Sequence, residues 1–203
     1  SENDVSNIFV SFCKGDINSL PWCETKLAIE SKPITNELVM LNKSGYFTIN
    51  SQPNVNGAPS DDPNFGWGSN GGRVYQKAYL EFFTSKENLD ILINNIKKDS
   101  SISYQAVNLS DDIISNVEKD NVNVVTWGVF PAAKIKQPTI VDSRSFMIWK
   151  NEAFTIWMSD WASIYEKDSI SYSLIKKIYE SYYLVNIVDN DFVRSDMIKK
   201  ILK

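Results

Sequence analysis

Small hydroxyl side chains stand where apolar, strand-like segments end or are interrupted. Thr48 and Ser51 lie in the segment FTINS, Thr126 lies in VTWG and Thr139 follows Pro138. Their neighbours are aromatic or β-branched, so these hydroxyls are suited to an apolar pocket in which a few polar atoms orient a small ligand. Threonine is also common in strands, and a purely structural role is the alternative at each position.

Several chemistries are disfavoured by the residues present. The chain has no histidine, which removes histidine acid–base catalysis, Ser-His-Asp triads and the usual zinc sites. Acidic pairs at 61–62, 111–112 and 189/191 lack calcium-loop spacing and sit in turn-like sequence. Residues 66–72 are glycine-rich but lack the features of a phosphate-binding loop. We therefore predict no catalytic residue and no metal ligand in this chain.

Composition indicates one globular domain. The 203 residues are 43% hydrophobic and 12% aromatic, enough for a sizeable core. The net charge of −4 comes from scattered charges, so we expect no nucleic-acid partner. No apolar run predicts a membrane span or a signal peptide. For Cys13 and Cys23 we expect two free thiols in a cytoplasmic protein, a disulfide being the alternative.

Hydrophobic periodicity predicts the elements that position these residues. Helices are predicted at 4–14, at 151–167 and at 169–181. Two more are predicted between these: one begins at Pro33 and is capped by Gly45, and the other follows a cap at Thr84-Ser85 and extends to Ile96. Strands are predicted at 46–50, 74–83, 101–109, 122–130, from 138 onward and at 183–188. About twenty residues after residue 50 read as an irregular loop anchored by Trp67, and 195–203 as a basic amphipathic tail.

Strands and helices interleave without a regular βα rhythm. We therefore predict an α/β fold of α+β-like character, with mixed β-sheets flanked by helices. A (β/α)₈ (TIM) barrel needs about 250 residues and eight strand–helix alternations, which exceeds this chain. The aromatic face of 151–167 is interpreted as core or subunit interface.

A series of motifs, in order along nearly the whole chain, carries a family resemblance. They are LPW at 20–22, LAIE at 27–30, LNKSGYFTINSQPN at 41–54, GWG at 66–68, QKAYLEFF at 76–83, VTWGVFP at 125–131, QPTIVD at 137–142, FMIWKNEAF at 146–154 and YYLVNIVDNDF at 182–192. Together they closely resemble the C-terminal regulatory half of eukaryotic methylenetetrahydrofolate reductase.

The resemblance implies a single regulatory domain over residues 1–203. In that family S-adenosylmethionine binds this region and inhibits a distant active site, and S-adenosylhomocysteine competes and relieves the inhibition. FAD, NAD(P)H and folate bind an N-terminal barrel that this chain does not contain. We therefore expect no catalysis by this chain alone, no cofactor in it, and a cytoplasmic role in one-carbon metabolism and methionine biosynthesis.

The resemblance also implies which residues contact the effector. Glu30 would suit a ribose diol or an amino group, although a carboxylate ahead of a helix is favoured there anyway. Ser31 replaces the family's usual threonine, Ala28 falls near the methylsulfonium, and Ile29 departs from a common alanine. The implied set is Ala28, Glu30, Ser31, Thr48, Ser51, Thr126 and Thr139.

Other expectations follow from the same resemblance. The family's linker contributes a Pro-Trp pair to the ligand, and both this pair and the first part of the domain would precede Ser1, so we expect an N-terminally truncated piece. The family dimerises through this domain, so we expect a homodimer, with the catalytic barrel as a further partner. The alternative is a dimerisation or interaction scaffold that no longer binds ligand, and a methyltransferase acting alone is a third possibility.

Overall fold

The computed structural model describes residues 2–18, 26–59, 61–63, 72–108, 123–131, 142–145, 181–189, 191 and 196–203. The first half holds α1 (Glu2–Lys14), a 3₁₀ helix (Ile29–Ile34), α2 (Thr35–Lys43), β1 (Phe47–Gln52), β2 (Val55–Pro59), β3 (Gly72–Gln76), β4 (Tyr79–Thr84) and α3 (Lys86–Ile96). The second half holds β5 (Ile102–Asn108), β6 (Asn123–Pro131), β7 (Asp142–Ser145), β8 (Tyr183–Asp189) and α4 (Met197–Ile201).

The strands in the described residues form two four-stranded sheets. The first sheet has the order β1-β4-β8-β5 and the second has the order β2-β3-β6-β7. Every strand pair in the described part of the chain is antiparallel. The predicted class, mixed α/β without barrel closure, is confirmed, and the antiparallel pairing gives it its α+β-like form.

One long two-stranded ribbon supplies an outer part of both sheets. One strand of the ribbon consists of β1 followed by β2, and the other consists of β3 followed by β4. Both strands bend where they pass from one sheet to the other, at 53–54 and at 77–78. The prediction of one strand over 74–83 is therefore wrong. Before the bend Gln76 pairs with Trp127 of the second sheet, and after it Tyr79 pairs with Val188 of the first.

The bend has identifiable causes. Pro53 has no N–H group, so it cannot donate to a ladder hydrogen bond at this point. The side-chain amide of Gln52 instead donates to the carbonyl of Lys77 across the bend, at 3.1 Å. A local apolar run gives no sign that its two ends pair in different sheets.

The segment predicted to be irregular contains β2. Val55–Pro59 pairs with β3 despite a composition that strands disfavour, so that prediction is corrected here. The ladder shifts register between Asn56 and Ala58, where Gly57 has a φ of 83°. A glycine bulge of this kind lets a turn-like sequence join a sheet.

The main core lies on one face of the first sheet. The helices α2, α3 and α4 cover this face, and the largest fully buried side chains there include Leu38, Leu41, Leu80, Phe82, Leu92 and Ile96. Leu89 of α3 and Met197 of the amphipathic tail are also buried. Burial on this scale is the main source of stability for a domain of this size.

Helix ends agree with their sequence signals. Ser85 caps α3 by accepting a hydrogen bond from the Asn88 N–H at 3.3 Å. Gly15 and Gly45 follow α1 and α2 with φ values of 82° and 84°. Cys13 carries a free, buried thiol. Cys23, the Trp67 loop and the predicted helices from 151 to 180 lie outside the described residues.

Candidate ligand-binding site

A buried serine links the 3₁₀ helix to β1. Ser31 is only 2% exposed, and its hydroxyl donates a hydrogen bond to the carbonyl of Ser51 at 3.1 Å. The two hydroxyl oxygens lie 3.0 Å apart. Two of the hydroxyls implied by the family resemblance, from separate motifs, are thus in direct contact.

A β-bulge places Thr48 and Ser51 on the same face of the first sheet. Residues three apart in a regular strand point to opposite faces. Here Thr48 pairs with Phe82 and Ser51 with Leu80, while the register shifts between Thr48 and Asn50. Since Phe82 and Leu80 are two residues apart on β4, both hydroxyl residues of β1 point to the helix-covered face.

The Thr48 hydroxyl is held by a buried asparagine from α2. The Asn42 side-chain amide donates to Thr48 Oγ1 at 2.8 Å, and the Thr48 N–H donates to Asn42 Oδ1 at 3.0 Å. Thr48 is 8% exposed and Asn42 is fully buried. Asn42 was not among the residues predicted for the site, and its place on a half-exposed helix gave no local signal for a buried polar role.

The 3₁₀ helix carries the other early members of the set. Ala28 precedes its first residue, and the Ala28 carbonyl accepts a hydrogen bond from the Ser31 N–H at 2.9 Å. Ala28 is exposed and Ile29 is 50% exposed. Glu30 belongs to this helix, but its side chain lies outside the described part. The helix therefore brings Ala28, Glu30 and Ser31 to the end of β1.

Thr126 lies in β6, at the junction between the two sheets. Its neighbour Trp127 pairs with Gln76, the last residue of β3 before the bend, so Thr126 comes next along the strand toward that bend. On its other side Thr126 pairs with Ser143 of β7. Its side chain is outside the described part, as is the whole of Thr139.

A second buried polar cluster occupies the opposite face of β4. The Tyr79 hydroxyl lies 2.9 Å from Glu81 Oε2 and 2.8 Å from Asn186 Oδ1. Glu81 is 1% exposed and Asn186 is 3% exposed. Burial, and then the charge of Glu81, raises the pKa of Tyr79, so this phenol stays protonated. The signal in the sequence was a glutamate inside an apolar strand, which the site prediction did not use.

At the bend itself Lys77 is half-buried. Burial lowers the pKa of the Lys77 ammonium group, because removal from water disfavours its charged form. The described residues hold no group of three or more His, Cys, Asp or Glu side chains that could bind a metal ion. In the same part of the chain no helix is long and apolar enough to cross a membrane.

Comparison with known families assigns the domain as a whole. The family model described as the S-adenosylmethionine-binding regulatory domain of MTHFR, methylenetetrahydrofolate reductase, matches residues 1–203. The chain belongs to this family. The match covers every element described above and confirms the resemblance that the motifs indicated.

Curated relatives agree with this assignment. The chain is similar to methylenetetrahydrofolate reductase (NADH) 1 of Zea mays, with 50% identity over 97% of the chain and 33% of the relative. It is 42% identical to methylenetetrahydrofolate reductase 1 of Schizosaccharomyces pombe, over 95% of the chain and 32% of the relative. A probable methylenetetrahydrofolate reductase (NADPH) of Caenorhabditis elegans is 40% identical over 100% of the chain and 32% of the relative.

The regulatory domain is one part of these relatives. The chain spans about a third of the length of the curated relatives it matches, at their C-terminal end. What the whole relatives catalyse thus involves further sequence that has no counterpart in these 203 residues.

Proposed function

We propose that this regulatory domain senses the ratio of S-adenosylmethionine to S-adenosylhomocysteine and controls a separate flavin-containing barrel. S-adenosylmethionine inhibits the barrel's NAD(P)H-dependent reduction of methylenetetrahydrofolate, and S-adenosylhomocysteine relieves the inhibition. The observation that carries the proposal is the contact between Ser31 and Ser51, whose hydroxyl oxygens lie 3.0 Å apart. Two motifs of a domain in the S-adenosylmethionine-binding family thereby meet at one point.

The proposed contacts divide by chemistry. The hydroxyls of Ser31, Thr48, Ser51, Thr126 and Thr139 supply hydrogen bonds that orient the effector. The Glu30 carboxylate accepts from the ribose diol or the amino group, and Ala28 leaves room near the methylsulfonium. A site made mostly of apolar walls with a few placed polar groups suits a ligand of this size.

Inhibition and relief require two conformations of the protein. An effector shifts an equilibrium only by the difference between its affinities for the two states. S-adenosylmethionine carries a methyl group and a positive charge on sulfur, both absent from S-adenosylhomocysteine. We propose that the inhibited state accommodates this charged methyl and that the active state binds both ligands with less discrimination.

The remaining assignments belong to the same proposal. The chain alone catalyses no reaction, and FAD and NAD(P)H bind the barrel. The names of the relatives, which specify NADH in maize and NADPH in the nematode, support a nicotinamide-dependent partner. The domain acts as a homodimer in the cytoplasm, where folate reduction supplies methyl groups.

The test is isothermal titration of the chain with each ligand separately. We expect S-adenosylmethionine and S-adenosylhomocysteine to bind the wild-type chain and to bind Glu30→Ala much more weakly. Glu87→Ala is the matched control, because Glu87 is an exposed carboxylate at the start of α3, another helix N-terminus. It should bind like wild type.

The alternative makes the opposite prediction. A folded wild-type sample that releases no heat with either ligand would contradict ligand binding by this chain alone: the domain would be a dimerisation or interaction scaffold, or would need the family's linker. Equal binding by wild type and Glu30→Ala would show that the domain binds the effector but that Glu30 does not contribute to the binding site.

A further inference from the structure

Asn42 forms a buried polar clamp behind the proposed ligand site. It is 0% exposed, although its side chain carries one strong acceptor and two donor hydrogens. A buried amide is tolerated in a core only when these groups are hydrogen-bonded. Its hydrogen-bond partners Ser6, Cys13, Leu38 and Thr48 lie on three elements, α1, α2 and β1.

Two backbone groups fix the orientation of this amide. The Thr48 N–H donates to Oδ1 at 3.0 Å, so this atom must be the oxygen. The Leu38 carbonyl lies 2.8 Å from Nδ2 and accepts one of its hydrogens. A rotated amide would place a donor against the N–H of Thr48 and an acceptor against the carbonyl of Leu38, and would lose both bonds.

The orientation of Asn42 in turn fixes the role of the Thr48 hydroxyl. Nδ2 is a donor, so Thr48 Oγ1, at 2.8 Å, must accept from it. The hydroxyl's own hydrogen then points elsewhere and is available for donation. The thiol of Cys13 lies beside the same amide, with its sulfur 3.7 Å from Nδ2 of Asn42. Sulfur is a weak acceptor, so an effector oxygen or nitrogen would compete well for the same hydrogen.

The clamp also attaches α1 to the ligand-binding strand. The Ser6 hydroxyl donates to the Asn42 carbonyl at 2.8 Å, and Nδ2 of Asn42 lies 3.7 Å from the sulfur of Cys13. Ser6 and Cys13 lie seven residues apart on α1. A shift of β1 on ligand binding would therefore alter the contacts of Asn42 with α1, the first helix of the domain.

We propose that Asn42 is a positioning residue for the effector site. It holds Thr48 as a hydrogen-bond donor and holds β1 at the bulge that brings Thr48 and Ser51 to one face. This inference rests on the proposed function, because it assigns Asn42 to the same effector site. Asn42 itself touches no ligand.

The experiment is a double-mutant cycle on ligand affinity. The titrated proteins are the wild-type chain, Asn42→Ala, Thr48→Val and the double variant, each with S-adenosylmethionine. We expect each single variant to bind about tenfold more weakly, the scale of one hydrogen bond. The Kd of the double variant should not exceed the larger of the two single-variant Kd values, because both changes remove the same interaction.

A matched control separates positioning from loss of stability. Asn95 also uses a side-chain amide on a helix to bind a backbone carbonyl, that of Ile201 at 2.9 Å, but on α3 and α4. Asn95→Ala should lower the melting temperature and leave affinity unchanged. Thr48→Ser keeps the hydroxyl and should restore most of the affinity that Thr48→Val loses.

A second readout follows the clamp directly. In a Cys23→Ser background, S-adenosylmethionine should slow alkylation of Cys13 by iodoacetamide. At a ligand concentration near the wild-type Kd, Asn42→Ala should remove most of this protection. Wild-type affinity in Asn42→Ala, or strictly additive losses in the cycle, would overturn the positioning role alone. Absence of any binding by the folded wild-type chain would contradict ligand binding by this chain alone, and the positioning role with it.

Discussion

The hydroxyl oxygens of Ser31 and Ser51 lie 3.0 Å apart although twenty residues separate them in sequence. The 3₁₀ helix and β1 are therefore joined by a buried contact that also includes the Ser51 carbonyl. This contact stands at the centre of the proposed site. A ligand that hydrogen-bonds to either hydroxyl would change how the helix sits on the strand.

The first prediction concerns this pair. Ser31→Ala removes a donor that is 2% exposed and leaves the Ser51 carbonyl without that hydrogen bond. We expect the free energy of unfolding to fall by about 1 kcal/mol, the net value of one such bond. Affinity for S-adenosylmethionine should fall as well. Urea denaturation and calorimetric titration measure the two effects separately.

Ser44→Ala provides the comparison. Ser44 is an exposed serine after α2, and the bond it accepts from Asn88 uses its backbone carbonyl, which the substitution keeps. Neither stability nor affinity should change by more than a small amount. An equal loss of affinity in both variants would show that the effect is not specific to the pair.

A second prediction compares two glycines with the same backbone conformation. Gly45 has a φ of 84°, and a Cβ there would come within 2.6 Å of Nδ2 of Asn88. Gly15 has a φ of 82° and open space around it. Gly15→Ala should cost about 1 kcal/mol from conformation alone, and Gly45→Ala should cost distinctly more.

The difference between the two glycine variants reports on the Asn88 contact. The Asn88 amide also donates to the Ser44 carbonyl at 3.1 Å, so a displaced Asn88 would lose that bond too. Thermal melts of both variants measure the comparison. Equal melting temperatures would mean that Asn88 moves aside freely.

Local elements of this fold were predictable, because their signals lie within one helix or one strand. The Ser85 cap and the spacing of Leu89, Leu92 and Ile96 define α3 before any tertiary contact is known. The bend at 77–78 was not predictable, since an apolar segment looks alike whether it stays in one sheet or crosses to another.

The site was predictable in its members but not in its geometry. Motif resemblance selected Ser31, Thr48 and Ser51, yet the spacing of the last two implies opposite faces of a regular strand. Only the bulge after Thr48 turns them to one face. Asn42 was missed because a single asparagine on a helix reveals its role only through its contacts.

A third prediction concerns alkaline pH. Burial raises the pKa of the Cys13 thiol from 9.0 to about 11, and a hydrogen bond from Thr48 opposes this shift only in part. Between these pH values the unfolded chain ionises at Cys13 while the folded chain does not. The stabilisation is complete below pH 9 and is lost as the pH rises toward 11.

The comparison that tests it uses a Cys23→Ser parent and the same parent carrying Cys13→Ala. Relative to the alanine variant, the parent should lose about 1.4 kcal/mol of unfolding free energy per pH unit in this range. Ionisation of tyrosines and lysines is common to both proteins and cancels. Parallel pH profiles would contradict the raised thiol pKa.

The last prediction concerns the polar cluster on the opposite face of β4. Tyr79→Phe removes a hydroxyl that lies within 2.9 Å of Glu81 and 2.8 Å of Asn186, both buried in the first sheet. Loss of this partner should lower the free energy of unfolding by about 1–3 kcal/mol, because buried polar groups lose a hydrogen bond without gaining water. Tyr104→Phe is the control, since Tyr104 is 40% exposed on β5 and should change stability little. Equal stabilities of the two variants in urea would show that the Tyr79 hydroxyl contributes nothing to this face.

A stability loss confined to Tyr79→Phe, with affinity for S-adenosylmethionine unchanged, would establish that the cluster supports the sheet independently of the proposed ligand site.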